Sequence, residues 1–85
     1  MNSEDIKNLL QDAFPSCRIE VTENQGQFRV LVIGEEFKGM TEVVRQQKIY
    51  APLTPHITTG RIHAVTVKAS TPEEQDAAKI RIQND

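Results

Sequence analysis

The chain has 85 residues, 38% of them hydrophobic and 26% charged, which indicates one small globular domain spanning residues 1–85. A domain of this size buries only roughly 60–65% of the surface of its unfolded chain, which leaves little room for a closed catalytic cavity, so we expect no enzyme. The net charge of −2 argues against a globally basic nucleic-acid-binding protein.

The single cysteine and the short apolar runs restrict the class further. Cys17 alone excludes an intrachain disulfide and a multi-cysteine metal site. The longest apolar run, Val30–Ile33, is too short to span a membrane. The acidic N-terminal residues lack the apolar core of a secretory signal, so we expect a cytoplasmic protein.

The first half of the chain predicts a helix followed by a hairpin. Ser3 is the candidate N-cap of a helix with apolar residues at helical spacing, and Pro15 ends it. Cys17–Thr22 alternates, with Cys17 facing the core as a small hydrophobic residue. Phe28–Ile33 is apolar on both faces except at Arg29, which is typical of a central strand. The short glycine-containing loop between these strands favours an antiparallel hairpin.

A second helix is predicted to begin at Thr41. Its apolar side is expected to consist of Val43, Val44, Tyr50, Leu53 and Ile57. Pro52 and Pro55 lie inside this span and each removes a backbone donor. They predict a kink or a break near Ala51 and a short separate turn after Thr54.

The last third of the chain predicts a strand and a helix. Ile62–Ala69 alternates as a third strand, with His63 as its second residue. Thr71–Glu74 has the sequence of a capping box and begins a weakly apolar last helix, with Ala77, Ala78 and Ile80, and a polar tail from about residue 82. The fold class is therefore α+β in the order α-β-β-α-β-α, with helices on a three-stranded mixed sheet and a right-handed crossover.

The two histidines are the candidate metal ligands. His63 has two readings from the residues alone: a satisfied, half-buried side chain of the strand, or a ligand that projects past the sheet edge. His56 lies seven residues earlier, a separation that matches no standard zinc spacing. We expect His56 to be a surface residue.

Charge is unevenly distributed along the chain. Residues 40–68 carry Arg45, Lys48, Arg61 and Lys68 against Glu42, a net charge of +3, and the rest of the chain is −5. Either this is an ordinary solvated surface, or it faces an acidic partner such as nucleic-acid phosphate, a carboxylate-bearing cofactor such as glutathione, or an acidic protein.

Three segments resemble the BolA family, and its short, IbaG-like bacterial branch in particular. They are Phe37–Met40, Arg45–Leu53 and Gly60–Glu74, and the Ile-His-Ala-Val sequence of the third strand is the most specific part. The resemblance implies the fold of a class II KH domain. It also implies a partner of monothiol glutaredoxins that acts in iron–sulfur trafficking and iron homeostasis, in apo complexes or around a shared [2Fe-2S] cluster.

The resemblance places the family's cluster-ligand histidine on His63. Thiolates of glutaredoxin and glutathione would supply other ligands, and imidazole ligation of such a cluster is known from Rieske centres. Many members carry His or Cys in the loop between the first two strands, whereas this chain has Gln27. A neutral amide is a poor iron ligand, so the fourth ligand is not identified. Arg45, Lys48, Arg61 and Lys68 are expected to face the partner or glutathione.

Two other functions remain open from the sequence. BolA-like proteins are described as transcriptional regulators, and the basic residues could make a weak, salt-sensitive DNA contact. Against this alternative, the chain has no Gly-x-x-Gly clamp loop, since Gly34 and Gly39 are too far apart. A metal-free interaction or stress-response module is the third reading.

Overall fold

The N-terminal helix begins one residue before the position that the sequence suggested. The computed structural model describes the backbone of residues 1–83 and the side chains of residues 1–77. Asn2, not Ser3, is the N-cap: its side-chain oxygen accepts from the N–H of Asp5 at 2.8 Å, and Asp5 accepts from the N–H of Asn2 at 3.2 Å. This reciprocal pair satisfies two otherwise free donors of the first turn, which Ser3 alone could not do.

Six elements follow in the expected order, joined by one short 3₁₀ turn. Their bounds are α1 Ser3–Ala13, β1 Arg18–Asn24, β2 Gln27–Ile33, the 3₁₀ turn Glu35–Phe37, α2 Glu42–Thr58, β3 Ala64–Ser70 and α3 Pro72–Gln83. The predicted α+β class and element order are confirmed. The last two residues of the predicted polar tail, and the side chains of Ala78 and Ile80, lie outside the described residues.

The sheet is mixed, in the order β1-β2-β3, and β2 is its central strand as predicted. β1 pairs antiparallel with β2, and β2 pairs parallel with β3. The hairpin turn is only Gln25 and Gly26, shorter than the predicted loop, because both residues adopt positive φ values of 53° and 80°. Positive φ at both central positions is the requirement of a tight type I′ turn, and it sets Asn24 opposite Gln27.

The sequence predicts a kink or a break near Ala51. Helix α2 is continuous through both prolines, so there is no break, and the separate turn after Thr54 does not occur. A proline inside a helix costs about 3 kcal/mol. Ile49 and Leu53 flank Pro52 and are fully buried, and burial of each such side chain contributes about 1.5–3 kcal/mol. Packing of this face therefore offsets the lost backbone hydrogen bonds.

The buried side of α2 differs from the predicted one. Ile49 and Leu53 face the core and Tyr50 is half-buried, but the side chains expected inward at three positions are exposed: Val43, Val44 and Ile57. The inward line instead continues through Arg45 and His56, which are half-buried. The pattern of apolar residues does not predict this buried side in full, because polar side chains occupy both of its ends.

Helices α1 and α2 pack over one face of the sheet and enclose the core there. The largest fully buried side chains are Ile6, Leu10, Val32, Phe37, Ile49, Leu53 and Ile62. The opposite face carries the alternate strand residues, most of them polar and exposed. Among residues 1–83, no helix is both long and apolar enough to cross a membrane.

Helix side chains hydrogen-bond backbone carbonyls along both outer strands. The amide nitrogen of Gln11 donates to the carbonyl of Cys17 at 3.0 Å, where the chain enters β1. On β3, the hydroxyl of Tyr50 donates to the carbonyl of Val65 at 3.2 Å, and the guanidinium of Arg45 donates to that of Ala69 at 3.2 Å. These bonds tie α1 and α2 to the edges of the sheet as well as to its face.

Candidate functional site

His63 lies in the connection between α2 and β3, and its side chain is exposed. The connection is held by two backbone bonds, since the N–H groups of Arg61 and Ile62 donate to the carbonyl of His56 at 2.9 and 3.2 Å. The adjacent Ile62 is only 1% exposed and anchors the connection in the core. His63 is therefore presented on the surface by a fixed segment of backbone.

The predicted position of His63 within a strand is wrong. β3 begins at Ala64, not Ile62, so His63 precedes the strand instead of being its second residue. Gly60 has a φ of 79° and lies where the chain turns after α2. A Cβ atom built on Gly60 would lie beside the His63 ring. His63 therefore lies outside the strand, and its exposed side chain does not match the half-buried reading. The ligand reading stays a prediction.

Gln27 lies at the same end of the sheet as His63. In the β2–β3 register Gln27 is the partner of Ala64, the residue that follows His63. Gln27 is exposed and occupies the first position of β2, directly after the hairpin turn. The position for which the resemblance implies a second ligand therefore lies at the histidine end of β3, but in this chain it offers an amide.

Cys17 lies at the other end of the sheet. It precedes Arg18, which pairs with Ile33, whereas the histidine end is formed by Asn24 and Gln27. Seven residues of strand at about 3.3 Å each place these two ends about 20 Å apart. Cys17 therefore cannot complete a metal site with His63.

The chemistry of Cys17 supports the same conclusion. Its side chain is buried, and its thiol donates to the carboxylate of Glu36 at 3.1 Å. Burial, together with this hydrogen bond, raises the pKa of the Cys17 thiol to about 12. Since the thiolate is the form that binds metals, a buried thiol with a raised pKa is a poor ligand, which agrees with the predicted role of Cys17 as a core residue.

The described residues do not form a complete metal site. No group of three or more His, Cys, Asp or Glu side chains among them could hold an ion. His56 is half-buried, not the surface residue expected from the sequence. His63 is therefore a single exposed donor, whose chemistry fits a site completed by another molecule.

Arg45 is engaged within the chain. Its guanidinium contacts both carboxylate oxygens of Glu74, at 2.6 and 3.0 Å, and donates to the carbonyls of Met40 and Ala69 at 3.1 and 3.2 Å. The hydrogen bond from Arg45, assisted by that from the N–H of Thr71, lowers the pKa of Glu74 to about 2. Glu74 also closes the predicted capping box with Thr71, through bonds of 3.1 and 3.2 Å.

The other three predicted basic residues are exposed but lie on separate elements. Lys48 is on α2, Arg61 is in the connection two residues before His63, and Lys68 is on β3. Of these three residues, Arg61 is the nearest to His63 along the chain. The role of all four residues toward a partner stays a prediction.

From the sequence, Arg29 stands out only as an exception in an apolar strand. The register places it between Thr22 and Thr66 on the sheet face opposite α1 and α2. Alternation along β2 is the signal that assigns it to this face, but only the register shows its neighbours.

Similarity to known proteins extends over nearly the whole chain. A sequence model described as BolA-like protein matches residues 6–74. An uncharacterized protein in the rpoN–murA intergenic region of Acinetobacter guillouiae is 42% identical over 74 residues, which cover 87% of this chain and 89% of that one. The acid stress protein IbaG of Escherichia coli K12 is 39% identical over 74 residues, which cover 87% and 88%.

Solved structures show the same fold. The structure of a bolA protein homologue from Coxiella burnetii superposes with a TM-score of 0.77 at 26% identity, covering 89% of this chain and 97% of that one.

Proposed function

The chain belongs to the BolA family, in its IbaG-like branch, and we propose that it is a non-catalytic cytoplasmic partner of a monothiol glutaredoxin. In this role it shares a [2Fe-2S] cluster with glutaredoxin and glutathione and acts in iron–sulfur trafficking or iron homeostasis. The family membership confirms the resemblance found in the sequence. The partner and the cluster are the proposal.

The observation that carries the proposal is the exposure of His63 on a fixed connection. Ile62 anchors this connection in the core, and the carbonyl of His56 accepts two of its N–H groups. A donor nitrogen that is accessible and held by backbone can approach an iron bound to another protein without unfolding of its own chain. His63 would supply an imidazole nitrogen, a ligand type that raises the reduction potential of [2Fe-2S] centres.

The remaining ligands would come from the partner. The only cysteine is buried at the far end of the sheet with a raised pKa, so the thiolates must be those of glutaredoxin and glutathione. Arg61, two residues before His63, is exposed and could bind a glutathione carboxylate. Lys48 and Lys68 would contribute longer-range attraction to an acidic partner.

Reconstitution of the complex tests this function. The wild-type chain is mixed with a monothiol glutaredoxin, glutathione, iron and sulfide, and its visible absorption and circular dichroism are compared with those of His63→Ala. His56→Ala is the matched control, because it removes the other imidazole. We expect the visible spectrum to change in His63→Ala and to persist in His56→Ala.

Two results would contradict the proposal. Spectra that are identical for wild type and His63→Ala would remove His63 as a ligand. Failure of the wild-type chain to bind either apo or cluster-loaded glutaredoxin would remove the partnership, and salt-dependent binding of duplex DNA in the same preparation would then favour the regulator reading.

A further inference from the structure

Among the residues whose side chains the structure describes, 1–77, none from a helix packs on one face of the sheet over most of its length. Residues on this face form rows across the three strands, as the two registers show. The uncovered rows are Glu20–Leu31–Lys68, Thr22–Arg29–Thr66 and Asn24–Gln27–Ala64. We call these nine residues the open face. At its far end Ile33 and Ser70 are buried, and the first turn of α3 lies beside Arg18 and Ile33.

The open face has an excess of positive charge, although the whole chain is negative. Glu20 is paired with Arg18 at 3.1 Å, so its charge is balanced locally. The ion pairs among the described residues do not include Arg29 or Lys68. Lys68 lies near Glu74 and helps to lower its pKa, but both oxygens of Glu74 are already bonded to Arg45. Two cations on adjacent rows are therefore available to an anionic partner.

The open face also carries a large apolar side chain, Leu31, on its middle strand. Leu31 is half-buried between Glu20 and Lys68, in a row next to the Arg29 row. A shallow depression of about 430 Å³ runs over this region and includes Thr22 and Thr66 in its lining. An apolar side chain bordered by polar and charged ones is found in protein–protein interfaces.

The size and composition of the open face restrict the kind of molecule that could bind there. Three strands at about 4.8 Å and five residues at about 3.3 Å give an area about 10 Å by 13 Å between Cα atoms. Nine residues are well below the roughly 20–30 residues that each partner contributes to a stable interface, so the face suits a short segment and not a second copy of the chain. None of the nine residues is aromatic, and the base-stacking platforms of single-stranded nucleic-acid binders are aromatic.

We propose that the open face is a docking surface for an acidic segment of a partner protein, which places an apolar side chain on Leu31 and carboxylates beside Arg29 and Lys68. The threonine hydroxyls of the Arg29 row would donate further hydrogen bonds to the same carboxylates. This contact is separate from the His63 end, and it requires neither a cluster nor glutaredoxin.

A synthetic peptide provides the test. The probe is an acidic helical peptide about three turns long, with one leucine flanked by glutamates, titrated into the full ¹⁵N-labelled chain at low salt. We expect amide shifts concentrated at residues of the open face on β2 and β3. Three comparison probes are the same peptide with alanine for leucine, the same peptide with lysine for glutamate, and an oligothymidylate.

Charge-reversal variants separate this surface from general electrostatics. Arg29→Glu removes the central cation, and Lys7→Glu makes the same change of charge on the exposed side of α1, which packs on the other face. We expect Arg29→Glu to weaken binding at least about tenfold, and Lys7→Glu to change it less than about twofold. Leu31→Thr should weaken the leucine peptide but not the alanine peptide.

Several outcomes would overturn the proposal. They are equal effects of Arg29→Glu and Lys7→Glu, shifts confined to residues outside the open face, or no binding of the leucine peptide at about 1 mM. Tighter binding of the oligothymidylate to the same residues would assign the face to nucleic acid instead.

Discussion

The guanidinium of Arg45 donates hydrogen bonds to both carboxylate oxygens of Glu74 and to the carbonyl of Ala69. One residue of α2 thereby joins the end of β3 and the first turn of α3. Glu74 is also the residue that closes the N-terminal cap of α3. The attachment of α3 to the rest of the fold therefore depends on the ionised form of one carboxylate.

This attachment should be sensitive to acid. The pKa of Glu74 is lowered from an ordinary value of 4.5 to about 2, so its ionised form stabilises the fold fully above about pH 4.5. The stabilisation is lost as the pH falls through about 2. Replacing Glu74 by Gln should lower the free energy of unfolding at neutral pH and flatten its decrease between these two pH values, as measured by urea denaturation.

Glu73→Gln is the matched control for this measurement. Glu73 is exposed in the same helical turn, and no hydrogen bond or ion pair of its side chain is found among the described residues. Its substitution should leave the acid dependence close to that of the wild type. Parallel curves for Glu74→Gln and the wild type would contradict the role given to Glu74.

Gly34 should tolerate no side chain while Cys17 keeps its sulfur. A Cβ built on Gly34 would overlap the Sγ atom of Cys17, and it would lie 3.4 Å from the Cβ atom. Gly34→Ala should therefore destabilise the fold by about 1–3 kcal/mol, as other overpacking changes do. Chemical denaturation at neutral pH measures this loss.

A double-mutant cycle identifies the cause. Cys17→Ala removes the overlapping sulfur, so Gly34→Ala should cost at least about 1 kcal/mol less in that background than in the wild type. Additive effects of the two substitutions would mean that Gly34 is required for another reason.

The hairpin turn should improve with a residue suited to positive φ. Gln25 has a φ of 53° and precedes Gly26 at 80°, and Asn-Gly is the preferred pair for such a turn. Gln25→Asn should stabilise the fold by about 0.5 kcal/mol, whereas Gly26→Ala should destabilise it by about 1 kcal/mol. The two variants are compared by thermal unfolding, and a loss of stability in Gln25→Asn would contradict the assigned turn geometry.

An imidazole at position 27 should lengthen the lifetime of a shared cluster. Gln27 begins β2 opposite the start of β3, beside His63, so Gln27→His would add a nitrogen ligand at that end. We expect slower decay of the visible circular dichroism of the reconstituted complex than with the wild-type chain.

Asn24→His provides the matched control, since Asn24 is the partner of Gln27 on β1 and lies one strand farther from His63. A lifetime that is unchanged in Gln27→His, or lengthened equally by Asn24→His, would show that position 27 takes no part in ligation.

Most of the fold could be predicted from local patterns in the sequence. The hairpin, the central position of β2 and the capping box at Thr71 follow from alternation, a turn glycine and capping chemistry. The inward face of α2 did not follow, because Arg45 and His56 take core-facing positions while two adjacent valines point outward. Helix propensity also predicts the wrong end for this helix, because it reflects the hydrogen bonds lost at proline but not the burial of the residues beside it.

The candidate site was accessible to sequence reasoning only in part. Resemblance to a family located His63, but its exposure depends on the Gly60 turn and on Ile62, which shift the start of β3. The distribution of charge along the chain places Arg45 among the cations available to a partner, and it does not include Arg29. Whether a cation is paired depends on contacts between distant segments, such as that from Arg45 to Glu74, which no local pattern contains.

The hydrogen bonds from Gln11, Tyr50 and Arg45 to the carbonyls of the outer strands have a consequence for self-association. A strand edge with free carbonyls can recruit an identical edge from another molecule and lead to aggregation. At these three positions the acceptors are already used by helix side chains. These bonds therefore disfavour edge-to-edge pairing of two copies of the chain at these positions.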